Sequence, residues 1–103
     1  MEIVWAEEAY LAWQEAMDYI IQHWGIQSGI DFYSNTEDWQ ETLSSSPYIG
    51  KVEPLLLNRS RVYRSLTISK HNKMVYYVEA DIITIVDFWD TRREPKRQAQ
   101  SLS

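Results

Sequence analysis

The residues with the greatest chemical reach in this chain are its late cations. Arg64 and Lys73 sit within a run of alternating residues, and Arg92, Arg93, Lys96 and Arg97 follow close behind it. A guanidinium fork grips a phosphate or a carboxylate through two parallel hydrogen bonds, and an ammonium adds a compact point charge. Such a cluster could engage RNA phosphates or the acids of a partner protein. The competing reading is internal ion pairing, for example of Arg92 or Arg93 with Asp87 or Asp90. Other reactive groups are sparse. The absence of cysteine removes disulfides and thiolate zinc sites. His23 and His71, the two histidines, fall late in a helical stretch and in a polar turn. Neither spacing suggests a metal pair, and surface or capping roles suit both. No phosphate-binding loop, Gly-rich dinucleotide turn or nucleophile elbow occurs, so no cofactor and no metal are expected. No two acids stand out as an acid/base couple.

Charge is divided along the chain. Residues 1–58 hold ten acids and a single cation, Lys51, for a net −9, whereas residues 59–103 carry +4. An anionic partner would therefore meet the second half. The simpler account of the first half is that its helices collect solvated acids.

Several elements must position these groups. Ile3-Val4-Trp5 reads as a short first strand. From Glu7 to Trp24, Ala9, Trp13, Ala16, Met17, Ile20 and Trp24 recur at helical spacing with polar residues between them. Glu7 and Glu8 suit the positive end of the helix dipole, and Gly25 is placed to stop the helix. Ser28 with Asp31 forms an approximate capping box for a second helix. Its buried stripe is Phe32, Thr36, Trp39 and Leu43, and Pro47 ends it. So short a link predicts an antiparallel helical hairpin, with Trp13, Ile20, Trp39 and Leu43 buried. Tyr48 to Ser60 reads as a connecting loop. The period then falls to two: Val62, Arg64, Leu66 and Ile68 share one face, and Arg61, Tyr63, Ser65 and Thr67 the other. Lys70-His71-Asn72 is a turn, Lys73–Glu79 a strand, Ala80-Asp81 a tight turn and Ile82–Trp89 the last strand, an antiparallel meander. The expected fold is α+β, β-α-α-β-β-β, with the hairpin on one face of a small antiparallel sheet.

The 103 residues suit one core, with residues 1–97 as a single domain and 98–103 as a disordered tail with little to bury. The start lacks a signal-peptide pattern, and nowhere do 18 apolar residues run together, so a cytoplasmic protein without a membrane segment is expected.

Four stretches, taken in order, resemble the RelE/ParE superfamily of bacterial toxins from type II toxin–antitoxin (plasmid stabilisation) modules. They are Val4-Trp5-Ala6-Glu7-Glu8-Ala9, Asp18-Tyr19-Ile20-Ile21-Gln22-His23-Trp24, and Ser46-Pro47-Tyr48-Ile49-Gly50-Lys51. The fourth runs from Tyr63-Arg64-Ser65-Leu66 through Met74-Val75-Tyr76-Tyr77-Val78 to Phe88-Trp89-Asp90-Thr91-Arg92-Arg93-Glu94-Pro95. The match spans about residues 3–97.

The resemblance implies two activities. In the ribosome-dependent ribonuclease branch, basic residues on the meander and the final segment contact mRNA, and Arg64, Lys73 and Arg93 fall at matching positions. Leu66, however, stands where that branch has a second lysine, and no tyrosine follows Trp89, so proton handling for 2′-hydroxyl attack is missing. The hairpin and the Asp-Thr-Arg-Arg-Glu-Pro ending look more like the ParE branch, which inhibits DNA gyrase by binding it. There Arg92, Arg93, Lys96 and Arg97 would contact the target. The resemblance also implies a cognate antitoxin lying across the hairpin and the sheet, and an isolated chain that can dimerise without it. A third reading is a non-toxic homologue kept as a binding module.

Overall fold

The computed structural model describes residues 1–91. In chain order the elements are β1 (Glu2–Trp5), α1 (Glu7–Trp24), α2 (Ile26–Ser45), β2 (Lys51–Val52), a 3-10 turn (Pro54–Leu56), β3 (Arg64–Ser69), β4 (Asn72–Glu79) and β5 (Ile82–Asp90). The α+β class, the helical hairpin and the meander are those expected from the sequence. The expected 98–103 tail lies outside the described residues.

Helix α1 has the bounds that its periodicity predicts, but α2 begins two residues before its expected cap. Gly25 has φ 92°, a left-handed-side conformation that a side chain would resist, and this single residue joins the helices. Ser28 is therefore inside α2, and its Oγ donates back to the Trp24 carbonyl at 3.3 Å rather than capping. Trp13 packs on Phe32, while Gly29 lies so near Ile21 that a Cβ there would come within 2.5 Å of the Ile21 side chain. Contacts that run backward along α2 as they advance along α1 make the hairpin antiparallel.

Five strands form one sheet in the order β1-β5-β4-β3-β2. The meander β3-β4-β5 is antiparallel, but β1 pairs with β5 in parallel, Glu2 opposite Ile82 and Trp5 opposite Ile85, so the sheet is mixed. The hairpin supplies the crossover that brings the chain from β1 back to the sheet. The expected loop from Tyr48 to Ser60 contains one short strand and a 3-10 turn, elements too brief to leave a periodic signal. Ala80 and Asp81 turn at φ 53° and 60°, the backbone of a two-residue hairpin turn of the favoured twist.

The main core lies between the helices and one face of the sheet. Leu43, Met74, Tyr76, Ile83 and Ile85 are fully buried there, each worth about 1.5–3 kcal/mol by area removed from water. Of the anchors expected from the helical stripe, Leu43 is buried, whereas Trp13, Ile20 and Trp39 are only partly so. Trp13 donates Nε1–H to Thr36 Oγ1 at 3.0 Å. Trp24, the last expected anchor of α1, is 59% exposed. A second cluster, Leu56, Tyr63, Val75 and Trp89, fills the opposite face.

Candidate functional site

Strand alternation decides where the cations point. Arg64 lies opposite Tyr76 and Leu66 opposite Met74, and these four share the helix-covered face. Thr67 lies opposite Lys73 and Ser65 opposite Val75, on the other face. Arg64 and Lys73 therefore leave opposite sides of the sheet.

On the helix-covered side, Tyr76 pins the segment after α2. Its hydroxyl donates to the Pro47 carbonyl at 2.9 Å and accepts from the Gly50 N–H at 2.9 Å. Burial raises the Tyr76 phenol's pKa, with the Gly50 N–H and the Arg64 charge pulling the other way. A Cβ at position 50 would come within 2.6 Å of the Tyr76 hydroxyl and 2.9 Å of the Ser65 carbonyl oxygen, so glycine is required there. Arg64 completes the clasp. Its Nη1 donates to the Gly50 carbonyl at 2.9 Å, and its guanidinium lies 5.3 Å from the centre of the Tyr48 ring.

On the other side, Lys73 Nζ meets both carboxylate oxygens of Glu53, at 2.7 and 2.9 Å. Glu53 is 1% exposed, and Ser65 Oγ donates to it at 2.7 Å, so the buried charge is fully answered. The Lys73 ammonium also sits 5.1 Å from the Trp89 ring centre. Glu53 N–H bonds the Tyr63 carbonyl, and the chain between them folds over this face, driving Leu56 against Val75 and Trp89.

The set Arg64, Lys73 and Arg93 is thus not gathered by its first two members: each is engaged within the chain, on its own face. Arg92, Arg93, Lys96 and Arg97 lie outside the described residues. His23 bonds the Tyr19 carbonyl at 2.9 Å and stacks on the Tyr19 ring, closing the end of α1. His71 sits in the β3–β4 turn. Among the described residues no three His, Asp or Glu side chains gather as a metal would require. No helix among them is long and apolar enough to cross a membrane.

Sequence reasoning passed over Glu53 and Tyr76. Glu53 had a signal, being the lone acid between Glu41 and Glu79 in a stretch rich in Lys and Arg. Tyr76 had a weaker one: a tyrosine in the middle of a central strand must find a partner for its hydroxyl.

A groove of about 710 Å³ opens where the joined ends of the helices overhang the β3–β4 turn and the end of β5. Ile20, Phe32 and Phe88 form its apolar base, and Trp24 stands at its mouth. Glu15, Asp31, Asp87 and Asp90 line it together with Lys70 and His71. Burial holds the Asp87 carboxyl above the usual carboxylate range, against the pull of hydrogen bonds from the Phe88 N–H and Trp89 Nε1–H, both 2.8 Å.

No protein-family model matches this sequence, and no curated protein matches it. Solved structures do. One is a chain of the chromosomal ParDE TA system from P. aeruginosa, with a TM-score of 0.69 and 15% identity over 87% of this chain and 95% of that one. A YoeB/ParE toxin from Agrobacterium tumefaciens gives a TM-score of 0.58 and 16% identity over 87% of this chain and 98% of its own. The YoeB dimer from Staphylococcus aureus gives 0.56 and 21%, over 84% and 92%. At such identities the shared property is the course of the backbone, and by that measure this chain has the fold of the RelE/ParE toxins.

Proposed function

We propose that this chain is the toxin of a type II toxin–antitoxin module, that it acts by binding DNA gyrase rather than by cleaving RNA, and that a cognate antitoxin neutralises it. The supporting observation is the separation of Arg64 from Lys73. A ribonuclease must bring its cations to one scissile phosphate, where charge-assisted contacts stabilise the developing negative charge. Here Arg64 is held by the Gly50 carbonyl on one face and Lys73 by Glu53 on the other. Leu66 is buried where a second lysine would be needed. A binding protein needs a shaped surface and no proton shuttle, so none of this counts against it. In that role Arg92, Arg93, Lys96 and Arg97 contact the target.

The test is induced expression with and without the gene product encoded beside it, combined with a supercoiling assay on purified gyrase. Growth arrest relieved by the neighbour, with supercoiling inhibited, is the expected result. Arg64→Ala should leave arrest intact, and removal of residues 92–97 should reduce it. Cleavage of mRNA at translating ribosomes, abolished by Arg64→Ala or Arg93→Ala in a folded chain, would replace gyrase binding with the ribonuclease reading. No effect on growth would leave a non-toxic binding module.

A further inference from the structure

The two helices of the hairpin turn on one residue. Gly25, at φ 92° and ψ 173°, is both the end of α1 and the start of α2, in a backbone region that glycine alone populates freely. Apart from its chain neighbours, no atom lies within 4 Å of where a Cβ on Gly25 would stand, so the backbone conformation by itself demands glycine. The hydrogen bonds around it already keep a helical step. Gly25 N–H bonds the Ile21 carbonyl at 2.9 Å, and Gly29 N–H bonds the Gly25 carbonyl at 3.3 Å. Between them, the first turn of α2 has neither a side-chain cap nor an acid. A helical Gly25 would hand the N–H groups of Ile26, Gln27 and Ser28 the carbonyls of Gln22, His23 and Trp24, making one helix from Glu7 to Ser45. Two large apolar residues flank the hinge in water, Trp24 at 59% and Ile26 at 67% exposure.

We propose that the hairpin opens at Gly25 into a continuous helix and that two copies of the chain exchange their β1–α1 units. In the exchanged dimer, β1 and α1 of one copy take, on the sheet and α2 of the other, the places they hold in the closed chain. Contacts away from the hinge are kept, now between copies: Glu2–Trp5 beside Ile82–Ile85, Trp13 Nε1 on Thr36, and Ile21 against Gly29. Exchange of an identical element is a low-cost route to a dimer, and a very short hinge invites it. The new contacts lie at the two-fold axis. The pairing that sets Trp13 on Thr36 and Ile21 on Gly29, continued along two antiparallel long helices, puts Trp24 of one copy opposite Ile26 of the other. Both side chains leave water there, a gain that the closed chain does not have.

The test reads the oligomeric state together with the span of one chain. The sequence has no cysteine, so Glu7→Cys/Glu41→Cys, exposed at the open end of the hairpin, takes a donor and an acceptor dye. In the closed chain these ends lie together, Trp5 Nε1 donating to Gln40 Oε1 at 2.9 Å. In a continuous helix they stand about 50 Å apart. Labelled chain is refolded from urea with excess unlabelled chain, at high salt to screen the net −9 of residues 1–58. Sedimentation should show a dimer in which energy transfer within the labelled chain is largely lost. Gly25→Ala, disfavoured in the hairpin and favoured in a helix, should tighten that dimer roughly tenfold or more. A few Gly and Ser residues inserted after Gly25 should abolish it, and Trp24→Ala/Ile26→Ala, exposed in the closed chain, should weaken it roughly tenfold. A natural chain and a Gly25→Ala chain that both stay monomeric would overturn the proposal. So would a dimer that keeps the energy transfer, being two closed hairpins side by side, or one indifferent to the longer link or to the loss of Trp24 and Ile26. If Gly25→Ala does not refold, the natural chain against the longer link decides by the same readings. Growth arrest is not among these readings, so their failure leaves the toxin reading untouched.

Discussion

The two faces of the sheet are built by different means. The face under the helices is closed by apolar side chains, with polar groups such as Tyr76 admitted only where backbone partners await them. The opposite face is closed by the chain's own β2–β3 connection, which carries Glu53 inward to pair with Lys73 of β4. The difference shows that cations on neighbouring strands are not thereby a basic site. Strand parity sends Arg64 and Lys73 to different sides, and a buried carboxylate then claims one of them.

The sharpest way to break this contrast is Lys73→Ala, which strands the Glu53 charge in the interior. We expect a loss of about 3–5 kcal/mol in urea unfolding, and recovery of most of it in Glu53→Leu/Lys73→Met, where both charges are gone. A loss below about 1 kcal/mol would mean that water reaches Glu53 and that the second face is open. The same measurement is a control on function, since any loss of activity in Lys73→Ala must first be corrected for unfolding.

On the helix-covered face, Tyr76→Phe leaves the Gly50 N–H and Pro47 carbonyl without their shared partner and should cost about 1–3 kcal/mol. Gly50→Ala should be costly for a related reason, its Cβ meeting the Tyr76 hydroxyl. A double-mutant cycle with Tyr76→Phe should show the two effects to be less than additive. Strict additivity would separate the glycine from the tyrosine.

A gentler probe is pH. Burial raises the folded pKa of Asp87 above its unfolded value, so the folded state holds the proton more tightly. The resulting stability is complete below the ordinary aspartate range and is lost as pH rises through the folded pKa. Relative to Asp87→Asn, the natural chain should therefore gain stability on acidification through that window. An unchanging difference between the two denaturation midpoints across it would place Asp87 in water. The smallest effect belongs to Arg61, whose exposed pair with Glu79 at 3.0 Å and stacking on Tyr77 should leave Arg61→Ala with a barely changed denaturation midpoint. A larger loss would mean that this edge is more ordered than its exposure implies.

Much of this architecture is legible in the sequence because it is written in short-range periods. The bounds of α1 follow from the 3.6-residue spacing of Ala9, Trp13 and Ile20, and the β4–β5 turn from the break at Ala80-Asp81. The start of α2 was harder to read. Ser28 and Asp31 satisfy a capping pattern, yet a single glycine at φ 92° lets the second helix begin at Ile26. Trp24 fits the apolar stripe by spacing, yet it is left 59% exposed.

The sequence by itself determined the class, the helical hairpin, the meander and the division of charge, since each depends on neighbours within a turn or two of chain. Only the tertiary structure decided that β1 runs parallel to β5, that Glu53 crosses twenty residues to meet Lys73, and that Arg64 and Lys73 face apart. These depend on register and on loop closure. A one-residue slip moves every side chain of a strand to the other face, and the energy that forbids the slip comes from the assembled core rather than from any local run of residues.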